Sequence, residues 1–521
     1  RRSFLIYGLG GMGKTEIALK FAEDVTSQYG YVFWVDATNE DTITASLKGI
    51  SSIPDAKNAD IDGTPEAALY WIASLSNDWL LIFDNADGEP KMVEKYLPSN
   101  NTGDIIITSR NPNMRSLTSN KNSIELEGMN MEDAIALLLK RSNLEEGITE
   151  ATQETAKEIV TILFCLPLAV DQAGALITSG FCSIHEYLGL YLEKRKELMD
   201  HPSFRGASKY EQTVYGTWEL SYKKIELRAK DQLNPREAHV AQTAILIHQV
   251  MAFFHHENIM ENIFSRAAEQ YITRGLRQKA SEKLPLAALY LNEKQLHIVD
   301  GKWDKLIFRS GIQVLVSYSL IKKGSLNAIY HMHPMVHSWC KDRMTKYEKE
   351  EACFLAMFML GCSVIMESND LLDHIFHYAL VTHIKMNQLY YDDIFKANTY
   401  YDDIHKCFAY VLYYNGNWTE AEKLQVEIME KRQQLLDPAH PDTLTSMGNL
   451  AATYWKQGKW TKAEKLEVEV MEKRQQLLGP AHPDTLTSIA NLAATYSNQG
   501  KWNEAEKLEV EVMEKRQQLL G

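Results

Sequence analysis

Short apolar runs recur through the first 130 residues: Ser3–Tyr7, Tyr31–Asp36, Trp79–Asp84, Asp104–Ser109 and, more weakly, Ser123–Leu126. Runs this short and this continuously apolar predict strands buried on both faces of a parallel sheet. Helical patterns such as Lys14–Asp24 and Pro65–Leu75 lie between them. The alternation predicts a doubly wound α/β domain over residues 1–128. After Gly128 the strands largely stop, and Met131–Lys140, Glu150–Leu163 and Pro167–Leu176 read as helices of a second domain, 129–205. Residues 206–345 mix helices with β-like pieces (Gly311–Tyr318, Asn327–His331), which fits a small helix-plus-hairpin domain. Residues 346–400 read as a helical linker.

The last segment, 401–521, is periodic. Trp418, Trp460 and Trp502 are spaced by 42, and Trp418–Lys459 matches Trp460–Lys501 at 34 of 42 positions. Leu444, Met447, Leu450, Ala451 and Tyr454 share one helical face; Ala463, Leu466 and Val470 line a second helix. Gly458 allows the turn between them, and Pro480 and Pro483 break the chain before the next unit. Each unit is therefore a helical hairpin that buries its stripe against its neighbours. The segment ending at Tyr413–Trp418 reads as the first helix of a divergent leading unit. The chain opens on Arg1 and stops inside a repeat, so both natural ends are expected to lie outside it.

Composition adds boundaries. In 521 residues, 45% hydrophobic and 24% charged positions are globular values. A formal charge of −14 gives no basic grip for nucleic acid. Cys165, Cys182, Cys340, Cys353, Cys362 and Cys407 are scattered without a CxxC pair, and read as reduced thiols of a cytoplasmic protein. The longest apolar run, Cys353–Met366, is too short to span a bilayer.

Gly8-Leu9-Gly10-Gly11-Met12-Gly13-Lys14-Thr15 follows the first apolar run and opens a helix, the context a phosphate-binding G-x-x-x-x-G-K-[ST] loop requires. Its backbone N–H groups and the helix N-terminus cradle a phosphate. Lys14 is placed to reach the β- and γ-phosphates, and Thr15 to ligand Mg²⁺. Asp84 emerges at the carboxyl end of Trp79–Asp84, where open α/β sheets hold ligands, and would fix the same Mg²⁺. Arg110, just beyond Ser109, could read the γ-phosphate and separate ATP from ADP; Thr108 and Ser109 are weaker candidates.

These residues resemble the STAND-class signalling NTPases of the NB-ARC type, especially fungal immune-like receptors. The marks span residues 1–345: Gly8–Thr15, Leu80–Asn85, Ile106–Arg110, Cys165-Leu166-Pro167 and Met332-His333-Pro334. The repeats resemble kinesin-light-chain tetratricopeptide units. The resemblance implies a multidomain protein: an α/β P-loop NTPase domain, a helical domain, a winged-helix domain over 206–345 and an all-α tetratricopeptide solenoid. It implies that Pro167 packs on the adenine and that His333 touches the β-phosphate of ADP, locking a closed state. Read without the family, Pro167 is a helix-start proline and His333 a buried structural histidine.

Two positions depart from the family pattern. Asn85 stands where relatives often carry a second acid, which predicts slow ATP hydrolysis, and Pro334 stands where many carry aspartate. The expected function is an ATP/ADP switch. A protein or peptide ligand binds the repeats, exchange opens the module, and self-oligomerisation activates an effector preceding Arg1. The rivals are a bulk remodelling ATPase, a transcription regulator using the same switch, and an adaptor that no longer exchanges nucleotide. A zinc reading of His331, His333 and His337 lacks a glutamate and a helix through His333. The Lys-Arg pair of each unit (Lys431-Arg432, Lys473-Arg474, Lys515-Arg516) reads as a solvated face paired with glutamates, or else as a basic ladder. Glu420, Lys462 and Glu504 reverse charge at one equivalent position, a candidate ligand-reading position.

Overall fold

The computed structural model describes residues 2–51, 53–59, 61, 63–76, 78–98, 102–119, 121–146, 148–178, 180–199, 213–275, 292–324, 328–366, 370–395 and 400–520. The domain boundary expected at 205/206, the start of the piece 327–331, the end of the linker at 396–399, and residues 1 and 521 lie outside them. The described chain divides into two compact units. One comprises 1–252 and 306–344, the other 253–305 and 345–521.

The first unit is built on a five-stranded parallel sheet: β1 (Arg2–Tyr7), β2 (Tyr31–Asp36), β3 (Trp79–Asp84), β4 (Asp104–Ser109) and β5 (Ser123–Glu125). All five expected strands are present, in the order β2-β3-β4-β1-β5. Alternate side chains feed two layers, as the pleat requires. Leu5, Tyr7, Leu81, Phe83, Ile105 and Ile107 pack with α2 (Glu40–Ile50), α3 (Pro54–Asn58) and α4 (Pro65–Ser74). Ile6, Leu80, Ile82 and Ile106 pack with Ala18 and Ala22 of α1 (Lys14–Val25). β3 is buried at every position, and its Leu80, Leu81, Ile82 and Phe83 side chains each contribute about 1.5–3 kcal/mol of transfer free energy. The short helix α5 (Pro90–Glu94) follows β3.

Beyond the sheet come α6 (Met131–Arg141), α7 (Glu150–Ile162), α8 (Pro167–Thr178), α9 (Ile184–Met199), α10 (Val214–Ala229), α11 (Pro235–Met251), α12 (Glu261–Gly275), α13 (Lys305–Ser317) and α14 (Pro334–Arg343). The β-like piece expected at Gly311–Tyr318 is instead part of α13. Its buried residues Ile307, Phe308, Gly311, Ile312, Leu315 and Val316 follow a helical period, and Gly311 lies close against Thr243 and Ala244 of α11. Its β-branched run mimics a strand locally, but tertiary packing overrides that propensity. Lys322–Lys323 and Ile329–His331 form a short antiparallel hairpin. Asp342 of α14 takes a bidentate bond from Arg195 of α9 (2.8 Å twice) and one from the Tyr215 hydroxyl of α10 (2.7 Å). Arg343 lies over the Tyr222 ring at 3.8 Å between Glu219 and Glu226.

Residues 253–305, which the sequence reading keeps inside one 206–345 domain, belong to the second unit. There α12 packs on α15 (Lys346–Cys362) and α16 (Leu371–Phe395): Arg266 meets Asp373 at 2.6 Å and covers the Phe376 ring at 4.3 Å. The repeat array follows as α17 (Asp402–Tyr414), α18 (Trp418–Leu435), α19 (Pro441–Lys456), α20 (Trp460–Leu478), α21 (Pro483–Asn498) and α22 (Trp502–Leu520). Leu444, Met447 and Val470 form one core cluster; Leu486, Ile489 and Val512 repeat it 42 residues later. The basic pairs divide. Lys473 and Lys515 bind Glu469 and Glu511 four residues back, as a solvated face does. Arg432 turns inward, buried in a bidentate pair with Asp402 (2.7 Å twice), and donates to the Asp442 carbonyl. Arg474 reaches the equivalent Asp484 carbonyl at 3.2 Å. Glu420 is ion-paired with Lys385 of α16 at 3.1 Å, and Lys462 lies over the Tyr454 ring of the preceding repeat at 5.1 Å.

Candidate functional site

Gly8–Thr15 forms the turn from β1 into α1. Gly8 (φ 145°) cannot carry a Cβ, which would lie 2.7 Å from the Leu126 carbonyl; Gly11 (φ 85°) sits against Leu168. Helix α1 opens on Gly13 with no side-chain cap, so its first N–H groups are left for a ligand. Lys14 is buried and donates to the Gly8 and Leu9 carbonyls, each at 2.9 Å. Burial, helped by the Arg110 charge, pulls its ammonium down to about 8.

Sheet order explains how the remaining groups converge. β4 lies between β1 and β3, so its carboxyl end stands between the loop and Asp84. Thr15 and Thr108 both donate to Asp84 Oδ1, at 2.9 and 2.5 Å. Burial pushes the Asp84 carboxyl up, and those two hydroxyl bonds pull against it. Asn85 donates from its side chain to Asp84 Oδ2 at 3.2 Å and holds φ 59°. A hydroxyl and a carboxylate meeting beside an uncapped, glycine-shaped helix start suit a Mg²⁺–phosphate group.

Arg110 is not left pointing into open space. Asp87 accepts from its backbone N–H at 2.7 Å and lies 3.3 Å from Nε. Its guanidinium also donates to the Thr217 carbonyl at 2.7 Å and the Ser221 hydroxyl at 2.9 Å, both on α10. Ser319 donates to the Arg110 carbonyl. Asp87 is thus the counter-ion of Arg110. Thr217, Ser221 and Ser319 are site residues the sequence reading missed, and nothing local in the sequence marks them.

Pro167 starts α8, and the next residue, Leu168, makes the loop contact: its N–H donates to the Gly11 carbonyl at 3.2 Å. Phe164 and Cys165, both at positive φ, turn the chain into α8. His333 packs edge-on against Phe164, ring centroids 5.9 Å apart. It caps α14, its Nδ1 accepting from Met335 N–H, with Pro334 as the first helical residue. His440-Pro441 and His482-Pro483 start α19 and α21 the same way. The departure at Pro334 is therefore a helix-start choice. His337 bonds Lys341 within α14, and no group of three metal-ligating side chains occurs among the described residues.

The NB-ARC domain family matches residues 3–146. The N-terminal domain is an NB-ARC domain. The tetratricopeptide repeat family matches residues 397–476 and 451–518. NB-ARC domains bind nucleotide, and the loop, Lys14 and Asp84 all fall within the matched span. A nucleotide-binding leucine-rich repeat (NLR)-like protein of Hyaloscypha variabilis is 31% identical over 206 residues, covering 36% of this chain. The chain spans 21% of that relative's length. Among solved structures, a Podosopora anserina kinesin light chain with nearly identical TPR-like repeats is 21% identical. It covers 34% of this chain and 92% of its own, with a TM-score of 0.24. A STAND protein with a tetratricopeptide repeat sensor from Pyrococcus horikoshii is 14% identical over 99% of this chain and 81% of its own, with a TM-score of 0.23. No helix among the described residues is long and apolar enough to cross a membrane.

Proposed function

We propose that this chain is the nucleotide switch of a signalling NTPase whose tetratricopeptide repeats sense a protein or peptide. Thr15 and Asp84 would hold Mg²⁺, which supplies charge neutralisation at the phosphates. Lys14 and the loop N–H groups hold the phosphates themselves. Pro167 would pack on the adenine, and His333 would favour the ADP state. Ligand at the repeats weakens that state, and the opened module self-associates to gather an effector in the cytoplasm. With Asn85 in place of a second acid, hydrolysis is slow and serves to reset the switch.

One observation carries this reading: the Arg110 guanidinium is shared between Asp87 of the NB-ARC domain and two acceptors of α10. A γ-phosphate would compete with α10 for the same donors, which couples nucleotide state to the hold on that helix.

The test is the nucleotide retained by the purified protein, released by denaturation and identified by chromatography, beside Lys14→Ala. ADP retained by the parent and absent from Lys14→Ala is the expected result. An empty site with fast ATP turnover would move the chain to the remodelling enzymes, and an empty, inert site to the scaffolds.

A further inference from the structure

Helix α16 is apolar on two opposite faces. One face is core: Phe376, Leu380, Ile384 and Tyr391 are buried there, with Asp373, His383 and Asn387 among them. The opposite face carries Leu371, Leu372, Ile375, Tyr378 and Leu389, each between 57 and 73% exposed. At 100° per residue, Leu371, Ile375, Tyr378, Thr382 and Leu389 fall within about 60° of one another, on the side away from Leu380.

Surface helices ordinarily put their charges on that side. Between Leu371 and Leu389 the acidic and basic residues are Asp373 and Lys385 alone. Asp373 faces inward to Arg266 at 2.6 Å. Lys385, at the edge of the stripe, is held by Asn417 at 2.5 Å and Glu420 at 3.1 Å. A continuous apolar stripe about 27 Å long is therefore left facing water, and stripes of that kind mark contacts with another macromolecule. A helix that lies on a lipid surface carries lysines and arginines along its polar side, which α16 does not. A charged peptide would find no opposite charge to read. The stripe's own complement is a second uncharged stripe of the same length.

We propose that α16 pairs antiparallel with α16 of a second copy of this chain. A two-fold axis at the level of residue 380 sets Leu371 across from Leu389 of the second copy and Tyr378 across from Thr382. Ile375 meets the alkyl stem of Lys385, whose ammonium stays on Glu420. The same patch then serves both partners, as an isologous contact requires. A parallel pair would set Lys385 beside Lys385; the antiparallel one separates the two by about 15 Å and opposes the helix dipoles. Five large side chains at these exposures offer roughly 600 Å² from each copy, so the pair buries about 1,200 Å², the lower bound for a specific stable interface. The pairing stands apart from the nucleotide switch, because no residue of the phosphate loop takes part in it.

Sedimentation equilibrium of the whole 521-residue protein, without added nucleotide, tests this. A monomer–dimer equilibrium is expected in about the micromolar range, weakened roughly tenfold or more by Tyr378→Glu and by Ile375→Glu. Both positions are exposed, so the melting temperature of the monomer should not move. Cross-linking with a short bismaleimide reads the direction: Leu371→Cys mixed with Leu389→Cys should join, and neither should join to itself beyond the parent's level. A monomer up to tens of micromolar would overturn the proposal. So would a dimer that neither glutamate weakens, including one that forms with ATP alone and belongs to the switch. Self-joining of Leu371→Cys would replace the antiparallel pair with a parallel one and overturn it as well.

Discussion

Asn85 holds φ 59° directly after Asp84, in the left-handed region that asparagine and aspartate tolerate better than other side chains. Backbone conformation, then, restricts what can follow Asp84, and aspartate satisfies it where glutamate would be strained. Asp87 does not fill the role of a second acid, because it is bound to Arg110. Asn85→Asp should therefore fold, and should raise ATP turnover toward the 10²–10⁴-fold that a positioned acid or base typically gives. The parent should lie well below the median enzyme turnover of ~10 s⁻¹. Single-turnover phosphate release on both proteins checks this, and equal rates would mean that a missing acid is not what limits hydrolysis. The loop residues, Asp84 and Arg110 were legible in the sequence because each sits at a fixed offset from a strand end. Leu168, Thr217, Ser221 and Ser319 were not, because they reach the site from elements far along the chain and are ordinary residues in their own helices and turns.

Among elements, the repeats permit a comparison within one molecule. Gln425 and Glu467 occupy the same position of successive units, one repeat of 42 residues apart. Gln425 accepts from the Thr453 hydroxyl at 2.5 Å. Glu467 is buried beside the equivalent Thr495, and its Oε2 has no partner among the described residues. Burial raises its carboxyl above the usual glutamate range. A carboxyl raised on folding destabilises the fold once it must ionise. The cost is absent below the unfolded pKa, grows as pH rises through the folded one, and is constant above it. Glu467→Gln should therefore stabilise the array at neutral pH, on the order of 1 kcal/mol for a relieved buried acceptor, and the gain should shrink on acidification. Urea unfolding of both proteins at neutral and acidic pH measures it; a gain that does not change with pH would assign the effect to packing. The helices of this array were legible from period alone. The inward turn of Arg432 was not, since Asp402, its partner, precedes it by 30 residues and lies in the divergent leading helix, ahead of the near-identical units.

At the scale of the molecule, the proposed switch depends on whether Arg110 couples nucleotide to the segment that follows the sheet. Its guanidinium now makes three polar contacts, to Asp87, the Thr217 carbonyl and the Ser221 hydroxyl. Only the last can be removed without touching the backbone or the counter-charge. A hydrogen bond to a charged group is worth about 1.5–3 kcal/mol, so losing it shifts the balance toward a freed Arg110 by roughly tenfold or more. A ligand moves such an equilibrium only through its different affinity for the two states. ATP, whose γ-phosphate can take up the freed guanidinium, should gain affinity in Ser221→Ala while ADP does not. Arg110→Ala should remove the gain, because the group that distinguishes the two nucleotides is gone. Dissociation constants for ADP and a non-hydrolysable ATP analogue, measured on the parent, Ser221→Ala, Arg110→Ala and the double variant, form a closed cycle. An unchanged ATP/ADP ratio in Ser221→Ala would place the coupling elsewhere and leave the Arg110–α10 contact as packing alone. A shift that persists in the double variant would show that Ser221 acts without Arg110.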